Sequence, residues 1–311
     1  MAPTVWLCIP TYNGDRFLAE ALTSAIAQTY RPYRILVSDD GSSDRTLVLV
    51  ERYRSISPVP FTVMPGPRQG MVANWNFCLR QALAGGADYI KFLFQDDVLL
   101  PTCLAEMVGL AETDPQIGLV CSRRHLLGEN LSPQWEWLRD LQKNWGAVPT
   151  VRAGRELFLH PAWLCPPDNQ IGEPTAVLLR STAVQTVGEF DPQFRQYVDL
   201  DYWWRVMLTH RMAWLDRPLV SFRVHAGQTT QRNQQADVIW AEIYRLWLKA
   251  LFDPVYDGLP TAARQHLYGH VWGQGLREWA RCWRGQRRSR FATLQVLAGA
   301  FLRRQPLAGV L

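Results

Sequence analysis

The sequence contains no apolar run of about 18 residues, the length a helix needs to cross a bilayer, so no transmembrane helix is expected. It has six cysteines and no C-x-x-C pair. They lie scattered in apolar contexts and read as reduced core thiols of a cytosolic protein rather than as a disulfide framework. There is no internal repeat and no low-complexity stretch. Charged residues make up only 20% of the chain, which excludes a disordered tail protein. The opening MAPTVWLCIPTYNG is too short, and too soon broken by proline, to be expected as a signal peptide. Acidic residues stop at Glu278, and the seven arginines beyond it leave −2 on the 278 residues before. A basic end on a mildly acidic body suggests an anionic partner for that end. Its arginines and aromatics suit amphipathic helices on an anionic membrane surface, or simply a solvated helix face. Nucleic acid is not expected as a partner, because the basic residues are confined to one end and no known module appears.

What is present is a long alternation of strand and helix patterns. With 311 residues, 48% of them hydrophobic, the chain can form one large α/β domain plus an appendage, or two domains. Fourteen tryptophans suit sugar-stacking surfaces or interface anchors, and equally core filling. TVWLCIP reads as a first strand. DRFLAEALTSAIAQTY has apolar residues at Phe17, Leu18, Ala21, Leu22, Ala25 and Ile26, a helical spacing that Asp15 can cap. YRILVSDD is a strand, and Asp44 is placed to cap the helix RTLVLVERYRS. FTVMPG is a strand, MVANWNFCLRQALAGG a helix ending in a glycine pair, and DYIKFLFQDD a fourth strand. A helix follows at LPTCLAEMVGLAETDP, then strands at IGLVCSRRHLL and PTAVLLRS. MAWLDRPLVSFRVHAGQTT is expected as two short strands and a loop. Residues 128–173 carry weak periodicity and read as an insertion or lid. From Asp237 onward the pattern is helical. This order predicts a doubly wound, mostly parallel sheet flanked by helices, with a C-terminal helical extension. The domains expected are residues 1–230 and the basic extension 231–311. Such sheets bind ligands beyond the carboxyl ends of their strands.

Two pairs of adjacent carboxylates, Asp39–Asp40 and Asp96–Asp97, follow apolar runs at such ends. Like charges in contact repel, and burial makes this worse, so donors or positive charge should sit between them. Tyr12, closing the first strand, can stack on a nucleobase; Pro10 and Asn13 also suit a plain tight turn. Asp40 can accept from an imide N–H of a base, while the competing role for Asp39 or Asp40 is a helix cap, with Ser42 holding a turn. The Asp96–Asp97 pair suits a hard cation. Asp199 and Asp201 lie near a helix start, where negative charge is favoured by the dipole, and either position suits a general base. His225 follows a strand and can complete a metal site or touch a phosphate. His266 and His270 have i, i+4 spacing but no third ligand.

In order and spacing, CIPTYNG, ILVSDDGSSDRT, FQDDV, GEFD…VDLDYWWR and FRVHAGQTT resemble the family 2 inverting glycosyltransferases, over roughly residues 4–230. The resemblance implies a GT-A fold and single-displacement transfer of a sugar from a nucleoside-diphosphate donor to an acceptor hydroxyl. The acceptor implied is a glycan or lipid-linked molecule, in cell-surface polysaccharide or glycolipid synthesis. By the same resemblance Pro10, Tyr12, Asn13, Asp40 and Asp96 would hold the nucleotide, with Asp96 at the ribose. Asp97 would ligate Mn²⁺ or Mg²⁺ with help from His225, and Asp199 would be the catalytic base. Asp39, Asp201 and Arg205 are supporting residues. Where the family often has Glu-Asp, this chain has Val198-Asp199, and Asp201 can substitute for the missing neighbour. The Q-x-x-R-W signature of processive members is missing, since YWWRV has the arginine without that frame. The lack of a phosphate loop rich in glycine after the first strand argues against a sugar nucleotidyltransferase. A non-catalytic nucleotide-sugar-binding scaffold is the other alternative. The location implied is cytoplasmic, or peripheral at the inner face of the membrane.

Overall fold

Continuous apolar runs become strands, buried on both faces inside a parallel sheet and part-exposed at its edge. In the computed structural model, which describes residues 2–128, 145, 150–165, 169–225, 238–284 and 299, these are β1 (Val5–Thr11), β2 (Tyr33–Asp39), β3 (Phe61–Pro65) and β4 (Tyr89–Phe92). They pair in parallel in the order β3-β2-β1-β4. The connecting helices are α1 (Leu18–Ile26), α2 (Thr46–Ile56) and α3 (Met71–Ala84). Helix α1 buries Leu18, Ala21, Leu22 and Ala25, one stripe at helical spacing.

Beyond β4 come β5 (Val98–Leu99), α4 (Cys103–Ala111), β6 (Ile117–Leu127), β7 (Thr150–Ala153), α5 (Gly154–Leu157), β8 (Val177–Arg180) and α6 (Ser181–Val187). Then follow α7 (Val198–Thr209), β9 (Arg211–Arg223), α8 (Val238–Phe252) and α9 (Thr261–Trp283). The sheet continues past β4 through β8, β6, β9 and β5, with β7 also on β9. The β4–β8, β6–β8 and β5–β9 pairs are antiparallel, and β6–β9 is parallel. The sheet is therefore mostly parallel, and its core runs from α1, β1 and β2 through α4, β6 and β9.

Three local expectations change. The pattern expected as two short strands is the single 13-residue strand β9. Pro218 looks like a terminator because it has no N–H to give a ladder. The pairing with β6 instead shifts register beside it, between Ser122 and Arg124, and a bulge tolerates proline. Asp15 does not cap α1, which starts at Leu18 without a side-chain cap; its N–H donates to Asp44 Oδ2 (3.1 Å) and its carboxylate accepts from Arg45. The fourth strand stops at Phe92, so Asp96 and Asp97 stand in the turn between β4 and β5. Asp44 does hold the start of α2, accepting the Thr46 N–H at 2.9 Å.

The chain divides into two compact units. The first comprises Met1–Arg152, Asn169–Phe190 and His210–Ala226, and the second Ala153–Asp168, Asp191–Thr209 and Gly227–Leu311. The expected domain boundary at 230, half of the 128–173 stretch and nearly all of the arginine-rich C-terminal segment lie outside the described residues. Among the described residues no helix is long and apolar enough to cross a membrane.

Candidate active site

In the first unit, strand order reverses between β1 and β4, and the sequence-predicted residues lie at or just past the carboxyl ends of β1, β2, β4 and β9. Pro10 is a buried strand residue paired with Ser38. Past it the chain turns sharply, with Asn13 at φ 46°, where asparagine is tolerated. The Asn13 N–H donates to Ser42 Oγ (2.8 Å), and its Oδ1 accepts from the Ser43 N–H (2.8 Å). These bonds lock the end of β1 to the loop after β2. Tyr12 stays 58% exposed, which leaves its ring open for stacking.

Asp39 and Asp40 resolve their repulsion by facing different donors. Asp39 Oδ1 accepts from Thr11 Oγ1 (3.0 Å) and Ser42 Oγ (2.5 Å), and its Oδ2 from the N–H groups of Gly41 (3.1 Å) and Ser42 (2.9 Å). Gly41 makes this turn at φ +92°, a backbone state that side chains rarely adopt. Asp40 accepts from the backbone of the next loop, Arg68 N–H on Oδ1 (2.6 Å) and Gly70 N–H on Oδ2 (2.9 Å). Asp39 is thus a structural knot. Asp40 spends one bond per oxygen and keeps acceptor capacity.

Gln95, which the sequence reading passed over, ties the second acid pair to the first. Its Oε1 accepts the Tyr12 N–H (2.9 Å) and its Nε2 donates to the Tyr12 carbonyl (3.1 Å). Gly14 makes room for it, since a Cβ there would lie 2.4 Å from Gln95 Oε1. Asp96 Oδ2 is 3.0 Å from His225 Nε2, so the structure pairs His225 with Asp96 rather than Asp97. Arg223 holds this turn from three sides. Its Nε donates to the Asp96 carbonyl (2.8 Å), its backbone N–H to Asp97 Oδ1 (3.0 Å), and its Nη2 to Glu20 (2.7 Å).

Asp97 is 1% exposed, and its Oδ2 has no hydrogen-bond partner. Burial pushes its carboxyl well above the usual range, with Asp96 and Glu173 adding to the rise; the Thr175 hydroxyl and Arg223 amide oppose it. Glu173 also keeps a buried oxygen, Oε1, without a partner, while its Oε2 pairs with Arg124 at 2.9 Å. Beneath them the fully buried Lys91 donates to the Thr175 carbonyl. Burial pulls the Lys91 ammonium down to about 8 against the pull of Cys103, Glu173 and Asp97. A lone lysine inside YIKFLF was a visible signal of this cluster; Glu173 left none.

Among the described residues no group of three or more His, Cys, Asp or Glu side chains could by itself hold a metal ion. Yet an unpartnered buried carboxylate oxygen beside two more acids is a deficit of positive charge. A cation held by one or two carboxylates, and otherwise by substrate phosphates and water, fits such a site.

Asp199, Asp201 and Arg205 belong to the second unit, on α7. Asp199 is half-buried in the first turn, with Oδ1 accepting the Leu200 N–H (2.8 Å). Asp201 is fully buried. Its Oδ2 accepts from Arg205 Nε (3.0 Å), and its Oδ1 from Lys249 Nζ (2.7 Å) and Tyr256 Oη (2.9 Å). Asp201 and Arg205 are therefore held in an internal ion-pair network. Asp201, fully engaged there, is not placed as a second base. A further acid fixes the entry to α7: Glu242, on α8, accepts the N–H groups of Arg195 (2.7 Å), Gln196 (2.7 Å) and Tyr197 (3.0 Å).

The glycosyl transferase family 2 model matches residues 6–166. The chain belongs to that family and is a glycosyltransferase. It is 30% identical over 227 residues to an uncharacterized protein of Mycobacterium tuberculosis, covering 73% of this chain and 69% of that one. An uncharacterized glycosyltransferase of Rickettsia prowazekii is 25% identical over 251 residues, covering 80% and 73%. Among solved structures it superposes on residues 1–349 of Staphylococcus aureus TarS in complex with UDP, with a TM-score of 0.62 at 15% identity, covering 97% of this chain and 92% of that one. A mannosyltransferase of Pyrobaculum calidifontis in complex with GDP-Man and Mn²⁺ gives a TM-score of 0.58 at 18% identity, covering 98% and 89%. These similarities show the GT-A fold.

Proposed function

We propose that the chain transfers a sugar, with inversion, from a nucleoside-diphosphate donor to a hydroxyl of a glycan or lipid-linked acceptor, in cell-surface polysaccharide or glycolipid synthesis. The observation that carries this reading is the loop clamped by Gln95, which sets an exposed tyrosine ring, Tyr12, beside an acid pair with an unpartnered buried oxygen. Tyr12 stacks on the base, and Asp40 uses its spare lone pairs on the base edge, on a frame built by Pro10 and Asn13. Asp96 takes the ribose. Asp97 would hold a divalent cation, Mn²⁺ or Mg²⁺, with His225 assisting at the cation or the diphosphate. Such a cation, when bound, neutralises charge on the departing phosphate oxygen. The solved relative containing GDP-Man and Mn²⁺ supports this assignment by similarity of fold.

Asp199 acts as the base. It takes the proton of the acceptor hydroxyl as that oxygen bonds to the anomeric carbon, and the nucleoside diphosphate leaves from the opposite face. One carboxylate suffices for such a single displacement. Asp199→Asn is expected to keep donor binding and to lose transfer by about 10²–10⁴-fold, the usual contribution of a positioned base. Donor-panel assays that quantify released nucleoside diphosphate read this directly. Unchanged turnover in the variant removes Asp199 from the mechanism. Pyrophosphate release by the wild type would indicate a nucleotidyltransferase, and donor binding without any turnover a scaffold.

A further inference from the structure

Helix α9 has two unlike sides. Ala263, Leu267, Val271 and Glu278 are buried. On another side Tyr268, Trp272, Leu276, Trp279 and Trp283 are 55, 64, 53, 53 and 81% exposed. At about 100° per residue these five fall within about 80° of arc. The wider arc of about 140° that contains them, from Tyr268 round to Gly273, holds no charged residue. An ordinary surface helix puts its charges on such a face. Three tryptophans and a tyrosine aligned in water form an apolar patch that calls for a partner.

Two features select the partner. Tryptophan and tyrosine have an apolar body and one polar tip, which suits the headgroup level of a bilayer. Positive charge follows the same stripe: Arg277 and Arg284 lie along one margin, and from Arg281 onward the chain has seven arginines and no acid. A second copy packed antiparallel on this stripe would set arginine margin against arginine margin. We propose that α9 is an interfacial helix, which docks the protein through this aromatic stripe onto a bilayer surface carrying anionic lipid. It lies on the surface and does not span it, as its polar and charged far side requires. The inference is independent of the sugar-transfer reading, because docking is measured without donor or acceptor.

The test is co-sedimentation of the full chain with vesicles of phosphatidylcholine alone, and of phosphatidylcholine mixed with phosphatidylglycerol. Binding is expected on the mixed vesicles, weakening as salt rises. The triple substitution Trp272→Ala, Trp279→Ala and Trp283→Ala removes exposed rings, so circular dichroism and Tm should be retained. Vesicle affinity should fall by about tenfold or more. A second measurement needs no variant: lipids brominated along their tails should quench tryptophan emission of the unaltered chain on mixed vesicles. No binding, binding indifferent to phosphatidylglycerol, or absence of quenching overturns the proposal. So does a lipid-free dimer that the triple substitution dissociates, since a second copy would then own the stripe.

Discussion

Asp97 is a residue placed against its own comfort. Its carboxylate is buried beside Asp96 and Glu173, with one oxygen unpartnered. A charge held there, offset by the buried Lys91 that burial itself drives toward neutrality, costs stability, and removing it relieves that cost. Asp97→Asn is therefore expected to raise the Tm of the metal-free protein, by about 2–4 °C for each kcal/mol relieved in a chain of this size. The same change should abolish the stabilisation expected of the wild type with Mn²⁺ and nucleoside diphosphate, about 2.7 kcal/mol at a hundredfold excess over Kd. Thermal-shift measurements with and without EDTA check both halves. A lower metal-free Tm in the variant would mean that Asp97 is needed for folding rather than for a cation. The acid pairs themselves were legible in the sequence, because adjacent carboxylates at strand ends stand out against apolar runs. Their division of labour was not. Which of Asp39 and Asp40 is fully engaged and which keeps acceptor capacity depends on Thr11, Arg68 and Gly70, which come near only through folding.

At the scale of elements, α8 determines where α7 begins. Glu242 collects three consecutive backbone N–H groups at the start of α7, one turn before Asp199. Glu242→Gln removes the charge and half the acceptor capacity. A hydrogen bond to a charged group is worth about 1.5–3 kcal/mol, and a loss of that order is expected by urea unfolding with an unchanged m-value. Turnover should fall while donor affinity holds, since the acid grips the Asp199 helix. Equal loss of both would assign Glu242 a purely structural role. The longer helices and the parallel strands β1 to β4 were readable from period and composition alone, whereas the short α5 and α6 were not. Strand β9 was not, since a bulge that tolerates Pro218 depends on its partner β6. Glu242 was likewise one acid in an apolar helix, VIWAEIYRLWL, indistinguishable by sequence from a solvated residue.

For the molecule as a whole, thiol reactivity should report folding. Cys8, Cys78, Cys103 and Cys121 are buried and free, and Cys165 is half-buried and free. Burial pushes the thiols of Cys103 and Cys165 up to about 11 and about 12, and Cys8 and Cys121 also rise. The thiolate is the nucleophile, so these groups should resist Ellman's reagent in the native state and react only as the fold opens. Prompt labelling of four or more thiols without denaturant would show an interior looser than this one. The sheet also fixes when the chain can finish folding. Strand β9 sits between β6 and β5, so both early strands wait for a segment made much later, with Ile117 facing Arg211 and Val98 facing Ser221. A nascent chain that ends before residue 211 exposes two unpaired edges, an invitation to edge-to-edge association that lasts until the ribosome delivers the missing strand.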